Sequence, residues 1–223
     1  MDARTHSDNI SAIASISDPV RRALFNFVSR HQAPVGRDEA AIALEIPRAT
    51  AAFHLERLAK NGLLTTEFQR LSGRTGPGSG RPAKLYRPAF GEISVSIPAR
   101  DYELAADILS AAIDESDRTR EPIRQSLTRV ATQRGSVLGS QAGSLDAMLT
   151  ISGYEPRDDG AGVLTLTNCP FHRIAQRHTE TICQANVALL QGAADGAGEN
   201  PDQVHFDPGE RRCCARIVRP DTP

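Results

Sequence analysis

Four cysteines, Cys169, Cys183, Cys213 and Cys214, are the only ones in a chain of 223 residues, and all fall in its last quarter. Thiols gathered in this way in a reducing compartment more often bind metal or sense redox state than form structural disulfides. Cys169 and Cys183 are spaced C-x13-C, and a third candidate follows 30 residues on, at Cys213 or Cys214. Pro170 suits the first position of a helix, which would make Cys169 its cap, where free amides and the helix dipole favour a thiolate. Cys213 and Cys214 are neighbours on an expected strand over 211–219, so their side chains should point to opposite faces. Cys213 shares its face with Ala215 and Ile217, Cys214 with Arg216, and Cys213 is therefore expected inside. His172, one helical turn after Cys169, is the first choice for a fourth donor and His178 the second. The expected metal set is Cys169, Cys183, Cys213 and His172, a set suited to Zn²⁺ or an iron–sulfur cluster. Three other uses of these residues compete: small buried hydrophobes, a disulfide switch, or a nucleophile paired with His172 or His178. No oxyanion-type loop, phosphate loop or paired carboxylate motif accompanies them, so no enzyme is expected.

A second chemistry is written in the charge. Residues 1–91 carry 13 Lys and Arg against 8 Asp and Glu, whereas residues 92–223 carry 13 against 19, so a net of +5 is joined to a net of −6. Such an asymmetry directs only the first part toward a polyanion. The cations are nearly all Arg, which can bind phosphate or guanine bidentately; only Lys60 and Lys84 are Lys. Within residues 48–60, RATAAFHLERLAK, the residues Ala51, Leu55 and Leu58 share one helical face. The opposite face presents Arg48, Thr50, Phe53, His54 and Arg57. An exposed Phe is uncommon enough to want a use, and a helix of this kind fits the major groove, where Arg reads guanine and apolar groups touch the thymine methyl. His54 is open between a packing role and a base contact. Arg70, Arg74, Arg81, Lys84 and Arg87 follow, with Glu67 the one nearby acid. Arg74 and Arg81 sit in SGRTGPGSGRP, a Gly- and Pro-rich loop, from which they could reach phosphates or a minor groove.

The elements that must position these residues can be read from pattern. Residues 8–32 predict two helices, the second opened by Asp18-Pro19, a cap followed by proline. A short helix over 37–45, a turn through Ile46-Pro47, the helix over 48–60 and a stop at Asn61-Gly62 come next. Strands at 65–71 and 83–88 flank the Gly-rich loop. The order is that of a winged helix-turn-helix, a double-stranded DNA reader. The stretch TAAFHLERLAKNGLL resembles the recognition helix of ArsR-type winged-helix regulators, in the positions His54, Leu55, Leu58, Gly62 and Leu63. Asp18-Pro19-Val20-Arg21-Arg22 resembles the early helix of the same family. The C-terminal cysteines are similar in layout to those of the iron–sulfur Suf-operon repressors. That resemblance implies Cys169, Cys183 and Cys213 as ligands, although the first gap and the Pro170-Phe171-His172 stretch differ.

Beyond residue 91 the pattern gives helices at 101–115, 119–134 and 145–152, with Gly135 and Ser136 read as a break. It then gives a hairpin of 154–157 with 163–167, two helical pieces over 170–192, a loop over 193–203 and the final strand. The expected class is α+β. It comprises a winged helix-turn-helix (1–91), a helical linker and dimerisation region (92–136) and a small C-terminal α/β cysteine-containing sensor domain (137–223). No run of about 18 apolar residues suggests a membrane span, and no secretory leader pattern opens the chain, so a cytoplasmic protein is expected. The expected function is a homodimeric transcriptional regulator, a repressor by resemblance, that binds a double-stranded DNA operator under control of the metal site. The competing expectation is a small-molecule-responsive regulator whose cysteine site is purely structural.

Overall fold

A computed structural model of the chain describes residues 6–70, 82–89, 91–160, 162–209 and 212–219. It divides into two units, Met1–Val95 and Ser96–Pro223.

The first unit comprises α1 (His6–Ser15), α2 (Pro19–Arg30), β1 (Val35–Gly36), α3 (Arg37–Ala43), α4 (Arg48–Lys60), β2 (Leu64–Gln69) and β3 (Ala83–Pro88). Asp18 caps α2 as its sequence suggests: its carboxylate accepts from the Arg21 amide at 2.9 Å, with Pro19 at the first helical position. α3 and α4 each end in the same device. After α3, the Glu45 amide bonds the Ile42 carbonyl and the Ile46 amide reaches back to Ala41. After α4, Gly62 bonds Ala59 and Leu63 bonds Leu58. Both turns need one left-handed residue, at φ 69° in Gly62 and φ 53° in Glu45. Glycine takes that conformation freely and glutamate does not, so the helix-turn-helix corner is held by its surroundings. Those are the core residues Leu24, Val28, Ala40, Ala51, Leu55 and Leu58, all buried together. β2 and β3 pair antiparallel from Leu64↔Pro88 to Gln69↔Ala83, and β1 adds to β3, giving the order β1-β3-β2. Arg74 and Arg81 lie outside the described residues.

The second unit comprises α5 (Tyr102–Thr119), α6 (Ile123–Ala142), α7 (Leu145–Ile151), β4 (Pro156–Asp158), β5 (Val163–Leu166), α8 (His172–Ala175), α9 (Thr179–Gly196), β6 (Val204–Phe206) and β7 (Ala215–Val218). The sheet is antiparallel, in the order β4-β5-β7-β6. α5 and α6 supply Ala105, Ile108, Ala112, Leu127 and Ala131 to the same core as α9 and the sheet. The division into linker and sensor at 136/137 is therefore corrected: the helices of 92–136 are part of the C-terminal core, and the boundary falls at Val95/Ser96. Pro122 delays the start of α6 to Ile123, because the residue before a proline disfavours the helical region.

Gly135 does not break a helix. It lies inside α6, and a Cβ there would stand 1.9 Å from the Leu189 carbonyl oxygen of α9. Gly139 meets Ala193 at 2.0 Å, Gly192 meets Thr132 at 2.0 Å and Gly196 meets Ser136 at 2.0 Å. Sequence number rises along both helices through these four meetings, so α6 and α9 run parallel with their backbones in contact. Only glycine permits this approach, which brings Cα–H groups against carbonyl oxygens. It also extends α9 to Gly196, four residues beyond the expected helix end.

Candidate functional site

α4 carries the first group of candidates. Its buried face is Ala51, Leu55 and Leu58, as the helical spacing requires. On the other side Phe53 is 60% exposed, and Arg48, Arg57 and Lys60 are exposed. Thr50 and His54 are half-buried. The His54 Nδ1 is enclosed with no partner among the described residues, and its ring stands edge-on to Phe53 at 5.2 Å between centroids. His54 also contributes to the field that helps hold Asp18 in its ionised form, after the larger effect of the Arg21 amide.

Several cations already have anionic partners. Arg48 pairs with Asp38 at the N-terminus of α3. Lys84 lies on β3, within the expected strand, and its Nζ donates to both oxygens of Glu56 at 2.7 and 2.8 Å. The Tyr86 hydroxyl donates to the same carboxylate at 2.7 Å. These bonds, Lys84 first and Tyr86 second, lower the pKa of Glu56 below the usual carboxylate value, while burial and the neighbouring carboxylate raise that of Tyr86. Arg87 pairs with Glu67 at 3.1 Å. Lys84 therefore clamps β3 to α4. Arg57 has no ion pair among the described residues, and with Phe53, Glu56, Lys60 and Asn61 it borders an open groove.

The cysteines form the second group. All four are buried and none is in a disulfide. The expected alternation of Cys213 and Cys214 is overturned. β7 begins at Ala215, and the two cysteines precede it on an irregular bend, where the two-residue period of a strand does not apply. Both sulfurs turn inward. Among the sulfurs, Cys213 accepts from Cys169 and from Cys214, and Cys183 accepts from Cys214. The Asn186 amide nitrogen lies 3.2 Å from the Cys213 sulfur and 3.8 Å from that of Cys214.

These bonds sort the thiols. Donation from Cys169 first, then from Cys214, the Ala215 amide and Asn186, draws the pKa of Cys213 below the usual thiol range. Cys183 is lowered by Cys214. Cys169 and Cys214, which donate, are raised, with burial adding to both. A cap thiolate at Cys169 is thus a second correction: the α8 N-cap is Phe171, the helix has four residues, and Cys169 lies outside it. His172 is exposed at the start of α8 but borders the same pocket, of about 270 Å³, as the four cysteines, with Gly209 and Arg212 also on its wall. His178 is exposed just ahead of α9. Among the described residues no group of three or more His, Cys, Asp and Glu side chains is arranged to hold a metal ion. As a donor set, four soft sulfurs lining one pocket are of the type that a thiophilic metal takes.

The cluster is tied to the entry of its unit. Arg100 donates to the Asn168 side chain, to the Ala99 carbonyl at 2.8 Å and to the Cys169 carbonyl at 3.3 Å. Asn168 donates in turn to the carbonyls of Ala99 at 2.9 Å and Gly153 at 2.6 Å. Residues 96–101, which continue the chain from the first unit, are thereby latched to the backbone of Cys169. Neither Arg100 nor Asn168 was expected from sequence; the bonds that join them to each other, and to the Cys169 and Ala99 carbonyls, span more than 60 positions.

Residues 16–67 match the family described as Helix-turn-helix domain. No curated protein and no solved structure matches the chain. No described helix is long and apolar enough to cross a membrane. A helix-turn-helix domain is a DNA-binding module, which indicates a transcriptional regulator.

Proposed function

We propose that the chain is a metal-responsive transcriptional repressor that reads double-stranded operator DNA through α4. The observation that carries the DNA reading is the solvent-facing side of α4. Phe53 and Arg57 project there beside Lys60, in the element order of a winged helix-turn-helix. A ring left in water and an Arg without an ion pair among the described residues suit a thymine methyl and a guanine edge. Arg48 would be released from Asp38 on reaching phosphate, and Thr50 would lie at the groove margin. His54 supports the helix from behind. The four sulfurs would hold zinc or an iron–sulfur cluster, with Cys214 joining Cys169, Cys183 and Cys213, and with His172 at the rim. When bound, such a centre would supply fixed geometry and charge at the junction of α8, α9 and β7. The latch through Arg100 would pass that change to residues 96–101. Two copies would place two recognition helices one DNA turn apart, matching a two-fold operator.

The test is the metal content and absorption spectrum of the full chain purified without oxygen. Visible bands with iron and sulfide select the cluster, and colourless protein with about one zinc per chain selects zinc. A colourless, metal-free protein that takes up neither contradicts the metal reading. Replacing each of Cys169, Cys183, Cys213 and Cys214 with Ser should abolish loading, and His172→Ala should not.

A further inference from the structure

Among the described helices α9 has the most buried residues, and these are apolar or small with one exception, Asn186, at 1% exposure. A side-chain amide there requires partners, because an unpaired one costs as much as a lost hydrogen bond. It has them on both sides. Its Oδ1 accepts from the hydroxyl of Tyr154 at 2.5 Å, and Tyr154 is fully buried. Its Nδ2 faces the two adjacent sulfurs, at 3.2 Å from Cys213 and 3.8 Å from Cys214. Among the described residues Tyr154 is the one donor to that oxygen, and with the oxygen so engaged the amide nitrogen faces sulfur. Asn186 is also one turn beyond Cys183 on the same helix, so a single element places both a cluster thiol and the amide that solvates the other two.

We propose that Tyr154 and Asn186 are positioning residues of the cysteine site, a buried relay that presents both amide hydrogens of Asn186 to the sulfurs of Cys213 and Cys214. The relay holds this pair inward on its irregular bend and makes it a two-toothed ligand for a thiophilic cation. Hydrogen bonds to ligand sulfurs set the affinity and potential of such centres. Cys169 lacks this amide: its backbone is held by Arg100 instead. The relay therefore tunes one half of the cluster only. This inference rests on the metal reading given above.

The experiment uses the full chain and Co²⁺ as a probe, because its bands report the number of thiolates and their hydrogen bonding. Asn186→Leu keeps the shape and removes both donors, but it strands the Tyr154 hydroxyl. The double variant Asn186→Leu/Tyr154→Phe removes both partners together, which keeps the core satisfied. Thermal melts and circular dichroism confirm which variant is folded. The double variant should bind Co²⁺ about 10–100-fold more weakly than the parent, a range typical of lost second-sphere bonds to metal ligands. Its sulfur-to-cobalt charge-transfer band should shift while the melting profile is kept. Tyr154→Phe alone should show the band shift with a smaller loss, since the amide is then free to turn over. A folded double variant with affinity within twofold of the parent and an unmoved band overturns the relay and leaves the metal reading intact. A parent chain that shows no thiolate–Co²⁺ band at all overturns both.

Discussion

Replacing Gly139 with Ala should open the seam on which the cysteine site is built. The new Cβ would stand 2.0 Å from the Ala193 carbonyl oxygen, 2.7 Å from its carbon and 2.9 Å from its Cα. All three are backbone atoms, so no rotamer change relieves the clash. The two helices must part by about 1 Å before the contact becomes ordinary, and a gap of that size forfeits a quarter to a half of the dispersion attraction across it. The same close step recurs at Gly135, Gly192 and Gly196, so separation at one position loosens all four. Overpacking costs about 1–3 kcal/mol where side chains can yield, and the backbone block places this site at or above the upper figure. Alanine returns up to about 1 kcal/mol of helix propensity. The net loss should be about 2–3 kcal/mol, or a fall in Tm of roughly 6–10 °C for a unit of this size. Urea and thermal unfolding of the full chain measure it, with Ser140→Ala, on the exposed side of the same helix, as the control. Because α9 also carries Cys183 and Asn186, metal uptake should weaken in parallel. A Gly139→Ala chain within 0.5 kcal/mol of the parent would refute the backbone-contact argument.

Other outcomes follow from single contacts. Glu45→Gly should stabilise the first unit by up to about 1 kcal/mol, read by urea unfolding, because the φ 53° turn then carries no side-chain penalty. Glu56→Gln releases Lys84 and should steepen the salt dependence of DNA binding by about one in log–log slope, measured by anisotropy titration. In the parent, Glu56 has a lowered pKa, so its stabilising effect is present at neutral pH and is lost as pH falls through that value. The stability difference between parent and Glu56→Gln should therefore shrink as pH falls below the ordinary carboxylate range. Arg57→Ala should weaken specific DNA binding by about 1–3 kcal/mol, and equal binding would remove it from base contact. Arg100→Ala should leave metal content unchanged but reduce the effect of metal on DNA affinity, measured as the ratio of affinities with and without metal.

The first unit was largely legible because its signals are local. Asp18-Pro19, the apolar spacing of α4 and Asn61-Gly62 each act within a turn of themselves, and each was read from its own residues. The turn through Ile46-Pro47 was read, but the end of α3 at Ala43 and the left-handed Glu45 were not, because a helix stop without glycine has no compositional mark. In the second unit the signals are distant. Gly135 with Ser136 reads as a break when taken alone, and Gly135 and Gly139 become a close helix contact only when 192 and 196 are brought alongside. Cys213-Cys214 looked like strand residues because apolar alternation runs on from Ala215; the register of β5 with β7, which begins at Val163↔Val218, ends the strand before them. β6 is three residues long, too short for a two-residue period to register. Asn186 and Arg100 gave no sequence signal, since each acquires meaning only from sulfurs or carbonyls far along the chain.

The account joins a DNA-reading helix to a thiol cluster, and one titration tests that junction. Anaerobic full chain, metal-loaded and then stripped by chelator, is titrated into the same labelled operator-length duplex at fixed salt. The account predicts a change in affinity of at least fivefold between the two states, abolished in a Cys213→Ser chain. Identical affinities in protein shown by metal analysis to be loaded and stripped would contradict it.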